Sequence, residues 1–527
     1  MVNQIASLSF SVENSRGHKE ETADFEKAIR LCEYGRFHYG FLFLCGAIFL
    51  CVGCQNGINA YILPSAECDL KLSSEQKGLL NVSFLVGGVI SALFWGVFAD
   101  AYGRRYILLL TMMCDSILAI GGSLSQSFEV LLIFRGLSGF FIGAPGSLVY
   151  SYLGEFHAEK QRVKTICYVG FFWTLSWLIL PGLAWIIIPL PISFQFHGMV
   201  YNSWRLFLAI IGVPTLVVTL IATRYPESPK FLVSQGKTEQ ALKILKKIYA
   251  INTGNHEDDY PVKVLLPDET VNINANKTNL SGSGVLTELV KNIWQQMRSL
   301  ASPPLLKYAL LSWGIYFTNM FGYYGFGLWL PELFNRFENY QNLHPNRTVS
   351  VCRLMHEPDP KAVLSNILVD SSVVTNECNP HMDEMVFINS LTINAFCLLG
   401  NIASGYLANR VGRRTIPVTT MLLAGIFGFA IYFVKSSLQI LMVTCVFSLT
   451  IVTANFVIGS VVVDIFPTHV GAVAICMMTF FGRVGAIASN LAFGMLLDIS
   501  CEVPIFLVGS LVILGGLMAL MLPRKKS

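Results

Sequence analysis

Two sets of residues in this sequence have the type and spacing to do chemistry. The first is one arginine, Arg483, set about eleven residues into an apolar run over 472–497. At 1.5 Å per helical residue it stands ~16 Å deep, close to the middle of a bilayer. An ionised side chain there is costly and is by default a functional group. Two readings of it stand: a fixed positive charge facing a cavity, ready for a carboxylate, sulfate or phosphate, or a structural pair, with Asp115 as its mid-membrane partner. The second set is a turn that occurs twice. Gly96-Val-Phe-Ala-Asp100-Ala-Tyr-Gly103-Arg104-Arg105 is repeated as Gly405-Tyr-Leu-Ala-Asn409-Arg-Val-Gly412-Arg413-Arg414, every matched position lying 309 residues downstream. A tight turn needs glycine where backbones approach closely. An acid near a helix end with arginines beside it forms a charge cluster that breaks and re-forms when two bodies move. The same offset carries Glu155 to Asp464. Glu155, Arg162 and Asp464, at inner helix ends, join Asp100, Gly103, Arg104, Arg105, Asn409, Arg413 and Arg414 as gating candidates.

The elements that must position these residues follow from composition. Of 527 residues, 53% are hydrophobic and 13% charged, with a mean hydropathy of +0.56. A soluble chain is about a quarter charged. The apolar residues fall in runs of about twenty, the length that crosses a hydrocarbon core as a helix. Twelve spans are expected, near 40–62, 78–99, 106–124, 130–152, 166–188, 205–223, 308–330, 385–407, 416–434, 438–463, 472–497 and 503–522. The fold class is therefore an all-α polytopic membrane protein, its twelve transmembrane helices arranged as two six-helix pseudo-repeats. The parts are a cytoplasmic N-terminal segment 1–39, an N-terminal half 40–223, a cytoplasmic linker loop 224–307, a C-terminal half 308–522 with an outer loop 331–384, and a tail 523–527. No cleaved leader is expected before the first span. Lys and Arg concentrate in the loops on the N-terminal side, which makes both termini cytoplasmic. The net charge of +4 and the absence of a basic cluster with interleaved aromatics exclude nucleic acid as a partner.

The outer loop carries the sequon Asn346-Arg347-Thr348, a glycosylation acceptor if the orientation holds. Cys352 and Cys378 share that loop in an oxidising compartment and are the expected disulfide. Cys68 and Cys501 are rival partners. Most other cysteines sit inside apolar runs as small hydrophobes. In the linker, Thr238 to Tyr249 places Ala241, Leu242, Leu245 and Ile248 at helical spacing, which predicts a helix lying against the inner membrane surface.

Parallel six-span repeats with a midplane site between them are a transporter architecture. With the twin turn, the chain resembles the major facilitator superfamily. Arg135-Gly-Leu-Ser-Gly139 with Gly143, Glu155 followed by Arg162, and Pro226-Glu227-Ser228-Pro229-Lys-Phe231-Leu232 place it near the sugar porters. Leu63-Pro-Ser-Ala-Glu67-Cys-Asp69, Ser151-Tyr-Leu-Gly-Glu155-Phe156, Trp185-Ile-Ile-Ile-Pro189, Ser203-Trp204-Arg205 and Phe321-Gly-Tyr323-Tyr324-Gly325 resemble the synaptic vesicle glycoprotein 2 family. There are departures from the pattern. The outer loop is short, the first span reads Gly53-Cys54-Gln55-Asn56-Gly57-Ile58-Asn59 without an acid, and Gly471 stands where an arginine is expected after Phe466-Pro467-Thr468.

Uncharged cavity candidates accompany Arg483 and Asp115. They are Gln55, Asn56 and Asn59 in span one, Trp173 in span five, Asn319, Tyr323 and Tyr324 in span seven, and Asn455 in span ten. For each amide, helix–helix hydrogen bonding is the competing reading. The resemblance implies that the tyrosine pair faces the central cavity. Arg135 is expected in a structural network. The function expected is transport of a small polar or anionic organic solute by alternating access, as a monomer in the plasma membrane or a vesicle membrane. The competing expectation is a transporter-like vesicle protein that binds or regulates other vesicle proteins and moves nothing. No cofactor, metal or enzymatic motif is expected.

Overall fold

A computed structural model of the chain describes residues 22–196, 199–266, 305–343, 350–352, 383–411, 414–466, 468–497 and 502–523, with a few isolated positions between them. Helices dominate. The N-terminal half holds α2 (Arg36–Gly57) continued by α3 (Asn59–Leu70), then α4 (Ser74–Tyr102), α5 (Arg104–Gly122), α6 (Phe128–Gly154), α7 (Glu159–Ile187) and α8 (Ser203–Ala222). The C-terminal half holds α11 (Leu305–Leu343), α12 (Glu384–Val411), α13 (Thr415–Phe433), α14 (Ser437–Ile465), α15 (Thr468–Leu496) and α16 (Glu502–Ala519). Among the described residues, 11 helices are long and apolar enough to cross a membrane. The twelfth, α11, has 39 residues, so composition and not length sets it apart. Outward-facing Phe43, Ile90, Ile117, Ile133, Ile402 and Leu438 present a broad apolar surface, as a lipid-facing wall requires.

Two spans differ from their expected edges. The first continues past Gly57 as α3 to Leu70, where Lys71 stops it in the left-handed conformation at φ 51°. The seventh runs on through Pro331 to Leu343, so the outer loop begins as helix. Both extensions are polar, and hydropathy alone does not register a helix that leaves the hydrocarbon.

Local chemistry fixes the helix ends. Ser73 caps α4 by accepting from the Gln76 N–H at 3.2 Å while the Gln76 side chain accepts from the Ser73 N–H at 3.1 Å, a reciprocal capping box. Gly103 separates α4 from α5 at φ +110°, a conformation open to glycine and strained for other residues.

The internal repeat reappears as packing. In the N-terminal half the first span packs on the fifth, the second on the fourth and the third on the sixth. In the C-terminal half the matching contacts are α11 on α15, α12 on α14 and α13 on α16. Glycines allow the closest approaches. A Cβ on Gly139 would stand 2.0 Å from the Phe84 carbonyl oxygen, and one on Gly485 2.3 Å from that of Phe317. Backbones at that separation gain van der Waals contact that replaces the hydrophobic drive lipid cannot supply. Between the halves, α4 meets α15, α7 meets α12, and α3 meets α11.

The N-terminal segment from Thr22 onward is folded. Strand β1 (Thr22–Ala23) pairs in parallel with β4 (Val264–Leu265), and α1 (Phe25–Leu31) packs beside α10 (Thr238–Thr253). Asn252 joins them, donating to the Cys32 and Glu33 carbonyls and accepting from the Phe37 N–H at 3.0 Å. Ala241, Leu245 and Ile248 of α10 are buried in this protein cluster. The apolar face expected on the membrane surface is therefore covered by the chain itself. A short hairpin, β2 (Ser193–Phe196) with β3 (Met199–Asn202), and α9 (Pro229–Ser234) complete the described elements used below.

Gly139→Val forces a branched side chain into the Phe84 backbone, and overpacking of this kind costs ~1–3 kcal/mol. Gly96→Ala, at a helical glycine with open space around it, does not destabilise and gains up to ~1 kcal/mol of helix propensity. Thermal unfolding of the two purified variants, followed by tryptophan fluorescence, checks the contrast.

Candidate functional site

A cavity of about 380 Å³ lies between the two halves. The N-terminal half contributes Asn56 from α2, Gly88 from α4 and Trp173 from α7. The C-terminal half contributes Tyr316, Tyr323 and Tyr324 from α11, Asn455 from α14, and Thr479 and Arg483 from α15. Arg483 reaches across the gap, and its Nη1 lies 2.7 Å from where a Gly88 Cβ would stand. The absent side chain at Gly88 is what gives the guanidinium its room. The phenols of Tyr316 and Tyr324 flank it. Among the described residues, Arg483 has no hydrogen-bond or ion-pair partner.

A second, smaller chamber of about 70 Å³ adjoins the first and shares Trp173, Tyr323, Asn455 and Phe456 with it. Its far wall is polar, with Ser390, Asn394, Asn401 and Ser448. Asn401 donates to Thr174 Oγ1 at 2.6 Å across the two halves. Aromatic rings form the waist: Trp177 meets Tyr323 edge to face at 6.0 Å, and Tyr323 meets Tyr324 likewise at 5.1 Å.

Of the residues singled out in the sequence, Arg483, Tyr323, Tyr324, Trp173, Asn455 and Asn56 are brought together on this wall. Gln55, Asn59, Asn319 and Asp115 are not: all four are buried between helices and line neither chamber. Gln55 accepts from Arg135 through its side chain (3.1 Å) and its backbone carbonyl (2.9 Å), and the Arg135 guanidinium lies over Phe84. Asn59 donates to the Leu80 carbonyl. Asp115 accepts from Ser138 at 2.5 Å within the N-terminal half, so of the two readings of Arg483 the structural pair with Asp115 is not formed. Sequence reasoning passed over Tyr316, Gly88, Thr479, Asn394 and Asn401. Asn394 and Asn401, seven residues apart on one helix face, carried a usable signal.

The first copy of the repeated turn is a closed charge cluster at the face where the chain's described ends lie. Arg104 donates to Glu155 at 3.1 Å, pairs with Asp100 at 2.9 Å, and lies 5.1 Å from the Phe231 ring centre. Burial pushes the Glu155 carboxyl above the ordinary carboxylate range, and the Arg104 guanidinium pulls it back. Arg105 donates to the Thr223 carbonyl. The missed member is Glu227, which accepts from the backbone N–H groups of Arg105 (3.0 Å) and Ser228 (2.9 Å). It also packs against Gly103, where a Cβ would meet Glu227 Oε2 at 2.4 Å. Arg162 turns away from this cluster to Glu26 of α1, at 2.8 Å. In the second copy Arg414 donates to the Leu520 carbonyl. Asn409 and Asp464 sit on α12 and α14, their side chains outside what the structure describes, and Arg413, Asn346 and Cys378 lie outside the described residues. Cys352 is disulfide-bonded, and so is Cys68.

At the face away from the chain ends, Gly78 of α4 packs on Gly494 of α15, a Cβ on either meeting the other's Cα at 2.9 Å. Elsewhere along the spans, Gly96, Gly170, Gly182, Gly327 and Gly459 on α4, α7, α11 and α14 have nothing within 4 Å of a Cβ position.

Known proteins share this arrangement. Residues 4–329 match the family described as "Sugar (and other) transporter". Synaptic vesicle glycoprotein 2C of Mus musculus is 26% identical over 97% of this chain and 82% of its own length. Synaptic vesicle glycoprotein 2A of Rattus norvegicus is 31% identical over 60% of this chain and 44% of its own. Among solved structures, the xylose transporter XylE from E. coli in a partially occluded inward-open conformation superposes with a TM-score of 0.64, at 15% identity, covering 93% of this chain and 100% of that one. Its inward-open form gives 0.62. The paired six-helix halves, the inter-half cavity and these matches make the chain a multi-pass membrane protein of the sugar transporter family, within the major facilitator superfamily and homologous to the synaptic vesicle glycoproteins 2.

Proposed function

We propose that the chain carries a small organic anion across a membrane by alternating access, with Arg483 as the counter-charge. One observation carries the reading: a guanidinium without a partner among the described residues, on the wall of a cavity between two pseudo-symmetric halves. A buried charge is costly unless something matches it. A carboxylate, sulfate or phosphate entering the cavity supplies that match, and the flanking aromatic rings suit a planar or hydroxylated body. The similar solved transporters are named for xylose. A neutral sugar can accept hydrogen bonds from the guanidinium but leaves its charge unmatched, which favours an anion here.

The close Gly78–Gly494 packing between the halves at the face away from the chain ends supports an opening toward the terminal face. With both termini cytoplasmic, as the loop charges argue, this is an inward-facing state in the plasma membrane or a vesicle membrane. Asp100, Gly103, Arg104, Arg105, Glu155 and Glu227 then form the inner latch of the N-terminal half, and Asn409, Arg413, Arg414 and Asp464 its counterpart. The substitutions Asn409 for aspartate and Gly471 for arginine weaken the second latch and support the rival reading, a vesicle-protein partner that moves no solute.

Thermal melting of the purified protein with a panel of organic anions, cations and sugars separates the two. A ligand at a hundredfold its Kd stabilises by ~2.7 kcal/mol. Anions raise the melting temperature of the native protein, and Arg483→Ala abolishes the shift while melting normally without ligand. If no solute shifts the melting temperature and Arg483→Ala alone melts lower, the arginine is structural and the non-transporting reading gains.

Within the latch the two carboxylates are unequal, because the Glu155 side chain is 13% exposed and that of Asp100 57%. Glu155→Gln breaks a charge-assisted bond in a half-dry setting and lowers stability by ~1.5–3 kcal/mol. Asp100→Asn removes a solvent-screened pair and costs less than ~1 kcal/mol. Equal losses in chemical denaturation of the two variants contradict this account.

A further inference from the structure

The face of the molecule that is closed, away from the chain ends, holds a second charge cluster built on different terms. Lys77, in the first turn of α4, has a side chain only 1% exposed. Its ammonium lies 2.8 Å from Glu67 of α3 and 2.9 Å from Glu332 of α11. Glu332, 4% exposed, accepts in turn from Arg336 Nε at 2.8 Å, one turn further along α11. Glu67 and Lys77 belong to the N-terminal half, Glu332 and Arg336 to the C-terminal half. The Lys77–Glu332 contact therefore crosses between the halves, beside the close Gly78–Gly494 packing.

An ordinary cross-half salt bridge would oppose any opening of this face, because parting it strands two buried charges. This cluster is arranged otherwise. It is neutral as a whole, and each half taken alone is neutral as well. If the halves part, Lys77 keeps Glu67 and Glu332 keeps Arg336.

We propose that Lys77 is an exchangeable counter-ion that fastens the outer gate: shared between Glu67 and Glu332 when this face is closed, and surrendered to Glu67 when it opens. The proposal rests on the alternating-access reading given above. It gives the two carboxylates on one lysine opposite roles. Glu332 holds the gate shut, and Glu67 makes its opening affordable.

Hydrogen–deuterium exchange of the full-length protein in lipid nanodiscs, without added solute, tests it. The readout is the amides of residues 74–81 and 490–497, whose exchange reports local opening. Glu332→Gln removes the cross-half contact and speeds exchange there several-fold. Glu67→Gln leaves Lys77 dependent on Glu332, populates the closed face further and slows exchange. If Glu332→Gln does not fold, Lys77→Gln serves, with the same acceleration expected. Like-signed effects of the two carboxylate variants, or unchanged exchange with only a lowered melting temperature, overturn the proposal and leave a static staple. Because the readout is opening and not binding, it stands or falls separately from the anion: opposite-signed exchange with no anion shift sinks the solute assignment alone, and an anion shift with like-signed exchange sinks the gate alone.

Discussion

A hydrocarbon slab offers no water to an ionised side chain, so each buried charge in a membrane protein has to be matched by its neighbours or by a solvent-filled space. The basic side chains near or within the spans divide along that line. Arg135 is held by the side chain and backbone of Gln55 and by the face of Phe84. Arg205 is held by Asp69, Asn202 and two bonds to the Ser125 carbonyl, over the Trp204 ring. Lys77 has two carboxylates. These residues fasten helices and are spent in doing so. Arg483 lies within α15 and, among the described residues, has phenols and glycines beside it and no counter-charge. The contrast within one molecule supports the binding role proposed for Arg483, since the same chain shows how it satisfies an arginine when the role is structural.

Much of this was legible in the residues, and the limits have physical causes. Twelve apolar runs and a 309-residue repeat specify the two-half fold because hydropathy and self-similarity survive without any partner chain. Arg483, Trp173, Tyr323, Tyr324 and Asn455 could be placed at the cavity because charge and aromatic pairs stand out against an apolar background. The direction of the span-one amides could not. Gln55 and Asn56 are adjacent, so helical geometry points them ~100° apart. One lines the cavity and the other binds Arg135. A helix that is apolar nearly all round carries no stripe to say which face is which. Chain closure over long separations was equally hidden: the pairing of Thr22 with Val264 and the burial of α10 under the N-terminal segment have no local signature. The expected membrane-surface helix was a correct periodicity assigned to the wrong covering.

The two charged faces are built to different designs. At the terminal face, Arg104, Glu155, Asp100 and Glu227 all belong to the N-terminal half or the segment that follows it, and their bonds close within that unit. They stiffen the turn between α4 and α5 and tie α9 to it. At the opposite face the cluster straddles the halves. A body that rocks needs rigid halves and one exchangeable set of contacts at each end, and the described residues supply the rigid part at one end and the crossing part at the other.

That division bears on how a solute can be felt by the whole molecule. A ligand shifts a conformational equilibrium only through its differential affinity for the two states, and a shift from one part in a hundred to ninety-nine takes ~5.5 kcal/mol of difference. A solute touching one half alone has the same contacts in both states and supplies none of it. Arg483 is carried by α15 of the C-terminal half, while the groups it faces across the cavity, Gly88, Asn56 and Trp173, are carried by the other. Any anion that neutralises the guanidinium while resting on Asn56 or Trp173 has its contacts divided between the moving bodies. Rocking changes the distance between those contacts, so the affinity must differ between states. Under the proposed alternating access, the position of this charge, on one half and aimed at the smallest residue of the other, would couple occupancy to motion, and the aromatic waist formed by Trp177 and Tyr323 carries the same division into the second chamber.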